Sequence, residues 1–553
     1  MKQRIIFILA FFLCIVTFAQ ENKFNVLVHN RTHLKTREEY SKKVLFPIKD
    51  KQIKDITLDF SLNCPEHKCS DWDYSINILL RKVQGKDTLN FQLGRMITPY
   101  SGWYNQGAKA STWDYHLKWN ITEYLPLMKD SVDIVISFEG YQDGFLASTD
   151  FIFTEYNPKE KPTDFIGVEN VYLGYYPFGR EDSTIDDFLP KRTIVVPNGT
   201  KKVLARMTVS GHGGDGLNAA AEFLEKSYYY RVNDNLVAKQ SVWRDDCGCN
   251  PIQPQGGTWI YNRAGWCPGT KVNEYYYDLT PFIKDKKLNI DLSFDYYNGH
   301  NSGDAGYQIA NDLFFIKDKE YKHNEIEDIR EFYLRPIALP TEFILVFKTN
   351  ADARDKWFIA KTERDNNAKL GFVAGKKYYE QTQFDTEKIY THRIKLQEGD
   401  SCIFKVEDTD CDGLSWWANP MQKDGYILIY DKDSTNVLHA FEPDFGCFIN
   451  QPFVVTDDKF VLQHRENKLV TLQDKDKKEL RILFFCQLNF EEKMEVVIKN
   501  RKTGEQVYNK TFDAKNRHDV TIDYKDFAEG YYSAYISCNG HSEYKMFINR
   551  DKQ

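Results

Sequence analysis

Apolar and polar residues alternate in many segments along the chain. In residues 132–139 every second position is apolar, namely Val132, Ile134, Ile136 and Phe138. A period of two is typical of a strand with one buried face. The same pattern recurs in KKVLARMTV, LNIDLSFDYY, GYILIYD and MEVVIKN, whereas helical patterns are short, the best being residues 219–226. The sequence therefore predicts an all-β protein built from antiparallel sandwiches.

Shifts in composition divide the chain. With 553 residues the chain is too long for one hydrophobic core. Residues 157–164 are polar with two prolines, residues 317–331 are charged, and QHRENK near residue 465 precedes a new strand pattern. These joints predict four β units after a leader at 1–20. The predicted units are 21–158, 164–325, 338–462 and 466–553.

The leader indicates export. Lys2 and Arg4 precede the apolar run IIFILAFFLCIV, and residues 17–19 offer a small-residue cleavage site. This order is typical of a secretory signal, and the run is short for a transmembrane helix. We favour a cleaved signal over an uncleaved anchor. We expect a secreted or periplasmic protein, or one held at the cell surface, with no membrane span after processing.

Charge and cysteine content narrow the choice further. The net charge is -7, from 73 basic and 80 acidic residues, which gives no reason to expect nucleic acid or an anionic membrane as a partner. Of 11 cysteines, Cys14 lies in the leader, and the other ten would enter an oxidising compartment where pairing is the default. They cluster by region, but two clusters have odd counts. Some thiols are therefore free or pair between clusters.

The segment CPEHKCSDWDY (64–74) is the first candidate for chemistry. Cys64 and Cys69 with a histidine between them could bind zinc, but in an exported chain a disulfide is favoured. If a strand follows Cys69, Trp72 and Tyr74 share one face and Asp73 lies on the other. A carboxylate beside a tryptophan suits sugar binding. Residue chemistry alone slightly favours a solvated acidic strand end.

Two further segments carry carboxylates. Glu139 ends its strand on the polar side, where an ordinary exposed carboxylate is the favoured interpretation. Residues 211–216 match GxGxxG, but export and the absence of a βαβ pattern argue against a dinucleotide site. We interpret them as a glycine loop that admits a bulky ligand, with Glu222 shortly after it.

Other motifs leave more than one interpretation open. The cysteine-clamped loop through NRAGWCPG displays Arg263 and Trp266, as a binding rim or as plain structure. DTDCDG (408–413) resembles the start of a calcium loop, but the twelfth position is Asn419, so a plain acidic turn is favoured over calcium. The chain has no HExxH, GxSxG or GxxxxGK[ST], which excludes the common protease, lipase and NTPase motifs.

Taken together, these segments resemble the peptide-N-glycosidase F family of bacterial N-glycan amidases. The likeness is carried, in the same order over residues 25–320, by CPEHKCSDWDY, GRMITPY (94–100), the strand ending in Glu139, TVSGHGG (208–214), AAEF (220–223), and CGCNP through NRAGWCPG (247–269). The family fold is a pair of adjacent eight-stranded jelly rolls with the active site between them.

The resemblance implies an enzyme that hydrolyses the amide between Asn and the reducing-end GlcNAc of N-glycoproteins, giving Asp and a glycosylamine. It places Asp73 at the principal catalytic position and Glu222 and Glu139 at supporting ones. It implies no metal or cofactor, glycoprotein or glycopeptide substrates, and a monomer. The implied substrate-binding residues are Trp72, Tyr74, Ile97, Tyr141, His212, Arg263 and Trp266. The implied disulfide cysteines are Cys64, Cys69, Cys247 and Cys267.

This sequence departs from the family pattern around the glycan core. Tyr74 stands where the best-known member has arginine, and His212 and Gly214 replace a tryptophan and a histidine. Ala220 and Leu224 replace a cysteine pair. We therefore hypothesise an altered tolerance for core decoration such as fucose.

The carboxyl-terminal half lies outside this likeness. GDSCIFKVEDTDCDGLSWWANP (399–420) resembles β-sandwich modules of secreted Bacteroidetes hydrolases, and the final unit resembles sorting domains of the type IX export system. Two rival functions remain: a non-catalytic glycan-binding or adhesin protein on the same scaffold, and a glycosidase that attacks an anomeric carbon with paired carboxylates.

Overall fold

The computed structural model describes most of the chain between residues 22 and 550. The described ranges are 22–65, 69–100, 115–157, 160–214, 218–250, 252, 255–299, 305–327, 334–365, 371–416, 422–463, 468–485, 493–513, 519–538 and 541–550. The predicted leader at 1–20 lies outside them, as do Asn419 and Cys486.

The first sandwich contains eight antiparallel strands in two four-stranded sheets. Their orders are β1-β8-β3-β6 and β2-β7-β4-β5, which is the jelly-roll arrangement. The strands are β1 (Lys23–Leu34), β2 (Glu39–Val44), β3 (Ile53–Asn63), β4 (Ser75–Gln84), β5 (Asp87–Ile97), β6 (Tyr115–Asn120), β7 (Val132–Phe138) and β8 (Phe145–Glu155).

The second sandwich repeats this topology. Its sheets have the orders β14-β11-β16-β9 and β10-β15-β12-β13. The strands are β9 (Phe165–Pro177), β10 (Arg192–Val195), β11 (Lys202–His212), β12 (Lys226–Val232), β13 (Asn235–Val242), β14 (Glu274–Asp278), β15 (Lys287–Phe294) and β16 (Gly306–Ile316).

Alternation in the sequence explains these strands. Val132, Ile134, Ile136 and Phe138 of β7 are all buried in the first core. Each sandwich has a core of its own, so the apolar faces of both sheets are removed from water. The prediction of adjacent antiparallel jelly rolls is confirmed.

Buried arginines join the two jelly rolls. Arg206 of β11 donates to the carbonyl oxygens of Gln92 and Leu93, at 2.6 and 2.9 Å, and forms an ion pair with Glu274. From the opposite side, Arg95 of β5 donates to Ser210 Oγ at 2.9 Å. Charged groups removed from water need such partners. These contacts therefore fix the two jelly rolls relative to each other.

The third sandwich has nine strands, with sheet orders β17-β25-β22-β19-β20 and β21-β18-β23-β24. All its pairs are antiparallel except β17 with β25. The strands are β17 (Ile337–Leu339), β18 (Glu342–Lys348), β19 (Asp355–Arg364), β20 (Phe372–Gln381), β21 (Ile389–Lys395), β22 (Ser401–Asp408), β23 (Tyr426–Asp431), β24 (Val437–Ala440) and β25 (Phe448–Val455).

The fourth sandwich has the sheets β26-β27-β30 and β29-β28-β31-β32. Its strands are β26 (Lys468–Asp474), β27 (Glu479–Phe485), β28 (Lys493–Asn500), β29 (Gln506–Asp513), β30 (Asp519–Asp523), β31 (Gly530–Cys538) and β32 (His541–Asn549). We propose that the four sandwiches are four domains, divided in the segments 156–164, 317–336 and 456–467.

Helices are short throughout the described chain. The α-helices are α1 (Ala220–Phe223) and α2 (Lys459–Gln463), and the 3-10 helices are Thr122–Lys129, Ile185–Phe188, Cys247–Cys249 and Thr280–Phe282. The helical pattern at 219–226 thus yields a single turn. Among the described residues, no helix is both long and apolar enough to cross a bilayer.

The strand predicted directly after Cys69 is wrong. Residues 71–74 form a bend, and β4 begins only at Ser75. Trp72 is 42% exposed while Tyr74 is buried. Asp73 therefore lies in a non-regular segment at the entrance of a strand, where its direction is set by local contacts and not by the pleat.

Candidate active site

Asp73 lies where the two jelly rolls meet. Its carboxylate Oδ2 accepts a hydrogen bond of 2.6 Å from the Tyr100 hydroxyl. The bend that carries Asp73 is held from both sides, because the Tyr74 amide donates to Thr98 Oγ1 and that hydroxyl donates to the Trp72 carbonyl oxygen. The position of Asp73 is thus fixed by the segment after β5.

A chain of side chains leads from Asp73 into the second jelly roll. Arg263 Nη2 donates to the Tyr100 hydroxyl oxygen at 3.1 Å, and Arg263 Nε donates to Glu222 Oε1 at 3.2 Å. The guanidinium is fully buried. Two carboxylates from different sandwiches are therefore connected through one phenol and one buried cation.

Other contacts of Arg263 hold it in one orientation. Its Nη1 donates to the carbonyl oxygens of Thr258 and Tyr261, at 2.9 and 2.7 Å, and Nη2 donates to Thr258 Oγ1 at 2.9 Å. The guanidinium carbon also lies 4.9 Å from the Trp266 ring centre, within cation–π range. The planar fork of arginine suits this set of partners.

Burial and neighbouring charges shift the acids of this cluster. Burial raises the pKa of Asp73 to about 7, with Arg263 opposing the rise and Glu222 adding to it. Burial also raises the pKa of Glu222, against the Arg263 guanidinium beside it. A carboxyl group with a pKa close to neutrality can exchange a proton with a substrate at physiological pH.

Glu139 belongs to a separate hydrogen-bond network at the junction of the two jelly rolls. Its Oε1 accepts hydrogen bonds from Asn77 Nδ2 at 2.9 Å and from Gln308 Nε2 at 2.7 Å. Asn77 in turn accepts from Arg95 Nε at 2.9 Å. The side chain of Glu139 is exposed. The structure thus places it at the junction, bridging both jelly rolls, without a direct hydrogen bond to Asp73 or Glu222.

The predicted contact residues fall into two groups. Trp72 and Tyr141 are exposed, by 42% and 55%, and can offer their rings to a ligand. Tyr74, Ile97, Arg263 and Trp266 are buried. These four side chains lie beneath the surface and support the residues above them.

Each buried residue has an identifiable packing role. Tyr74 packs edge-on against Phe138 and Tyr141, and its hydroxyl donates to Gln142 Oε1 at 3.2 Å. Ile97 forms a small apolar cluster with Trp266 and Val272. The interpretation of Tyr74 and Ile97 as direct sugar contacts therefore has little support from their exposure.

His212 stacks on Trp266, with 5.3 Å between ring centres. Its Nε2 lies 2.8 Å from Ser210 Oγ. Burial and the nearby Arg95 lower the pKa of His212 to about 3, so the ring is neutral at physiological pH. It can orient a partner but carries no charge there.

Tyr100 and Thr258 were not assigned a role from the sequence. Tyr100 ends the segment GRMITPY, and Thr258 precedes the RAGWCPG loop. Only the fold shows that both hydroxyls meet Arg263. In the sequence, both residues lie close to motifs that were already of interest. That closeness does not show which way their side chains point.

Disulfides close the loops around the site. Cys64 pairs with Cys69, and Cys247 pairs with Cys267, which fixes the loop that carries Arg263. Cys447 lies within bonding distance of both Cys249 and Cys411, and can pair with one at a time. Cys249 and Cys447 come from different sandwiches. Cys447 can therefore pair within its own cluster or with a cysteine of another cluster, and the sequence left both kinds of pairing open.

Cys402 is free and buried. The Cys249, Cys411 and Cys447 sulfurs are also close enough to hold a metal ion, but in an oxidising compartment pairing is favoured.

Part of this chain is similar in sequence to known proteins. Residues 184–308 match the family described as peptide-N-glycosidase F, C terminal. The chain is 25% identical over 277 residues to the peptide-N(4)-(N-acetyl-beta-D-glucosaminyl)asparagine amidase F of Elizabethkingia miricola, covering 48% of this chain and 75% of that protein.

Solved structures give similar results. The structure of PNGase F, a glycosylasparaginase from Flavobacterium meningosepticum, aligns with 21% identity and a TM-score of 0.45, covering 54% of this chain and 96% of that one. A structure of PNGF-II aligns with 16% identity and a TM-score of 0.43, covering 53% and 65%.

The first half of the molecule is thus a pair of adjacent jelly rolls with carboxylate side chains at their junction. This part of the chain is similar to peptide-N-glycosidase F proteins, through the family model over residues 184–308 and the 25% identical relative. Two further β-sandwiches follow at the carboxyl end.

Proposed function

We propose that this protein is an exported amidase that hydrolyses the bond between Asn and the reducing-end GlcNAc of N-glycoproteins or glycopeptides. The observation that carries the proposal is the Asp73–Tyr100–Arg263–Glu222 chain, which joins two acids across the junction of the jelly rolls. The related Elizabethkingia miricola protein, named as such an amidase, supports the same reaction class.

Asp73 is the proposed principal catalytic carboxylate. Water must add to the carboxamide carbon of the glycosylated Asn, and the departing glycosylamine nitrogen needs a proton. With a pKa of about 7, Asp73 can take a proton from that water and return it to the nitrogen. The Tyr100 hydrogen bond fixes which of its oxygens remains available.

Glu222 and Arg263 form the proposed second half of the site. The buried guanidinium holds the Glu222 carboxylate and the Tyr100 phenol together, and so sets the separation of the two acids. Glu139 is the proposed third, supporting carboxylate, and its exposed position suits a hydrogen bond to a sugar hydroxyl. Trp72 and Tyr141 supply exposed aromatic surface for pyranose rings.

Mass spectrometry of the former glycan site tests this proposal. After incubation of a denatured N-glycoprotein with the protein, we expect Asp at that position. Asn carrying one GlcNAc would identify a glycosidase, and an intact glycan would identify a binding protein. Asp73→Asn should abolish conversion, whereas Asp50→Asn, an exposed site in the same sandwich, should leave it unchanged.

The second candidate function is non-catalytic glycan binding, which the exposed rings of Trp72 and Tyr141 would also serve. It differs in one outcome: a binding protein would retain a labelled glycopeptide without changing its mass, and Asp73→Asn would still bind it.

Altered tolerance for core fucose is a finer part of the proposal. Because Tyr74 is buried beneath Tyr141, the sugar-binding edge presents an exposed tyrosine ring and not an arginine. We expect different rates on matched glycopeptides with and without core fucose. Equal rates would contradict this part while leaving the amidase proposal intact.

A further inference from the structure

Five aspartates converge at one end of the third sandwich. Asp408, at the end of β22, lies opposite Asp355, at the start of β19, in the antiparallel pair. Asp410 and Asp412 follow in the loop after β22, and Asp352 lies in the segment before β19. The fold thus brings two distant segments with the same charge to one place.

Asp355 is the member whose position demands an explanation. It is only 3% exposed, and neither carboxylate oxygen accepts a hydrogen bond from another residue of the described chain. A buried carboxylate without partners is costly, since nothing replaces its lost hydration.

Gln422 and Asp408 supply further oxygen atoms beside this cluster. Gln422 Nε2 donates to Asp412 Oδ2 at 2.6 Å, while its own Oε1 is buried and accepts no hydrogen bond in the described structure. Asp408 accepts amide hydrogen bonds from Asp410 and Gly413, at 3.0 and 2.8 Å. These amides hold the Asp408 carboxylate in place at the start of the loop.

One cation contacts the rim of the cluster. Arg354 donates to Asp352 Oδ1 at 2.8 Å and forms an ion pair with Asp410 Oδ2 at 2.6 Å, and its side chain is 60% exposed. It neutralises the outer pair, and among the described residues its guanidinium forms no ion pair with Asp355. The inner acids Asp355, Asp408 and Asp412 therefore carry excess negative charge.

We propose that these inner acids close on a calcium ion, with Asp355, Asp408 and Asp412 as ligands and the Gln422 amide oxygen beside them. Their carboxylate oxygens do not all lie within 4.8 Å of one another in the structure, so the ion would draw them together. Oxygen ligands from carboxylates and an amide suit Ca²⁺ better than Zn²⁺, which prefers nitrogen and sulfur ligands. This site lies outside the amidase proposal and does not depend on it. It also departs from the favoured interpretation of DTDCDG as a plain acidic turn.

A cation here would stabilise the surface that faces the amidase core. Cys411 lies between the proposed ligands Asp408 and Asp412 in the sequence and within bonding distance of Cys447. The Cys447 amide donates to the Gly248 carbonyl oxygen at 2.8 Å. Trp416, three residues beyond the loop, packs edge-on against Tyr261, 5.0 Å between centres. The same Tyr261 supplies a carbonyl oxygen to Arg263.

Calcium titration of the full-length protein tests the site. After treatment with EDTA and its removal, addition of CaCl₂ should raise the melting temperature of a transition by about 10 °C when Ca²⁺ exceeds its dissociation constant about 100-fold. Calorimetry should give one site per chain. MgCl₂ at the same concentration should give a smaller shift.

Two variants locate the site. Asp355→Asn should abolish the calcium-dependent shift and, because it removes repulsion, should melt no lower than the metal-free native protein. Asp412→Asn serves the same purpose if Asp355→Asn does not fold. Asp433→Asn, exposed in the turn between β23 and β24, is the control that should retain the full shift.

Absence of any shift or heat at millimolar CaCl₂ would overturn the proposal, as would calcium binding that survives Asp355→Asn and Asp412→Asn unchanged.

Discussion

At the residue scale, Asp73 combines two demands that oppose each other. A carboxyl group with a pKa of about 7 is useful for proton transfer, but the same burial makes its ionised form unfavourable in the folded protein. Tyr100 and Arg263 limit that cost by donating to the Asp73 carboxylate and supplying positive charge nearby. Activity and stability are thus coupled at one side chain.

This coupling predicts how stability depends on pH. Because the folded pKa of Asp73 is raised above its unfolded value of about 3.9, the folded state loses stability as pH rises from about 4 to about 7. Asp73→Asn removes that loss. We expect the variant to unfold with a free energy up to a few kcal/mol higher than the native protein at pH 8, and with no gain at pH 4.

Urea unfolding of both proteins at the two pH values measures this difference. A gain of equal size at both pH values would show that ionisation of Asp73 is not its cause.

Tyr100→Phe gives a second test at the same scale. The hydroxyl lowers the pKa of Asp73 by donating to its ionised form. If Asp73 acts as a base, the rate should rise with pH through about 7 in the native protein. In Tyr100→Phe that inflection should move upward by about half to one pH unit, with a rate loss of about tenfold.

Tyr230→Phe is the matched control, because Tyr230 is also buried but donates to Asn311 within the second sandwich. An unchanged inflection in Tyr100→Phe, or an equal movement in Tyr230→Phe, would contradict the assigned role.

At the scale of elements, the site depends on three backbone segments that are hydrogen-bonded to each other. The Gly211 amide at the end of β11 donates to the Ala264 carbonyl oxygen, and the Ala264 amide donates to the Glu222 carbonyl oxygen in α1. Trp266 Nε1 donates back to the Gly211 carbonyl oxygen at 2.8 Å. Glu222, Arg263 and Trp266 are therefore positioned together.

Gly211→Ala tests this arrangement. A Cβ atom at Gly211 would overlap the Ala221 carbonyl oxygen, so β11 and α1 would have to separate. We expect kcat/KM to fall at least about tenfold, since misplacement of a catalytic group by about 1 Å has effects of this order or larger. Glycan release from a fluorescent glycopeptide measures it.

Gly214→Ala is the control in the same loop, because its nearest neighbour would be Ala219 Cβ at 4.0 Å. A loss of activity equal to that of Gly211→Ala would indicate that loop mobility, and not close packing, is what matters.

The sequence predicted elements better than it predicted their ends. Alternation in β7 identified its buried face because burial of one side is a property of the strand alone. The bend at 71–74 was not predicted, since the Thr98 contacts that hold it come from another strand. Asp73, Glu222 and Glu139 could be singled out by resemblance, but the hydroxyl of Tyr100 required the fold.

At the scale of the whole molecule, the third sandwich is attached to the second jelly roll around Cys447. Cys447 can pair with Cys249 of the second sandwich, and its amide donates to the Gly248 carbonyl oxygen. The sequence could not predict this pairing, because cysteines distant in sequence allow many connectivities.

Gly248→Ala should weaken that seam. A Cβ atom at Gly248 would overlap Cys411 Cβ, and the backbone on both sides is constrained by disulfides. We expect a lower melting temperature for the third sandwich and faster proteolysis between the second and third sandwiches. Gly167→Ala, where a Cβ meets no atom within 4 Å, should leave both unchanged. Identical digestion of the two variants would show that this contact does not stabilise the attachment of the third sandwich.

The central claim is that this molecule adds water to the carboxamide carbon of a glycosylated Asn. Hydrolysis of a glycopeptide in ¹⁸O-labelled water, followed by mass spectrometry of the peptide, tests it most directly. We predict Asp at the former glycan site with one ¹⁸O atom in its new carboxylate, and no such product with Asp73→Asn. A peptide that retains Asn, bare or bearing one GlcNAc, would contradict the claim.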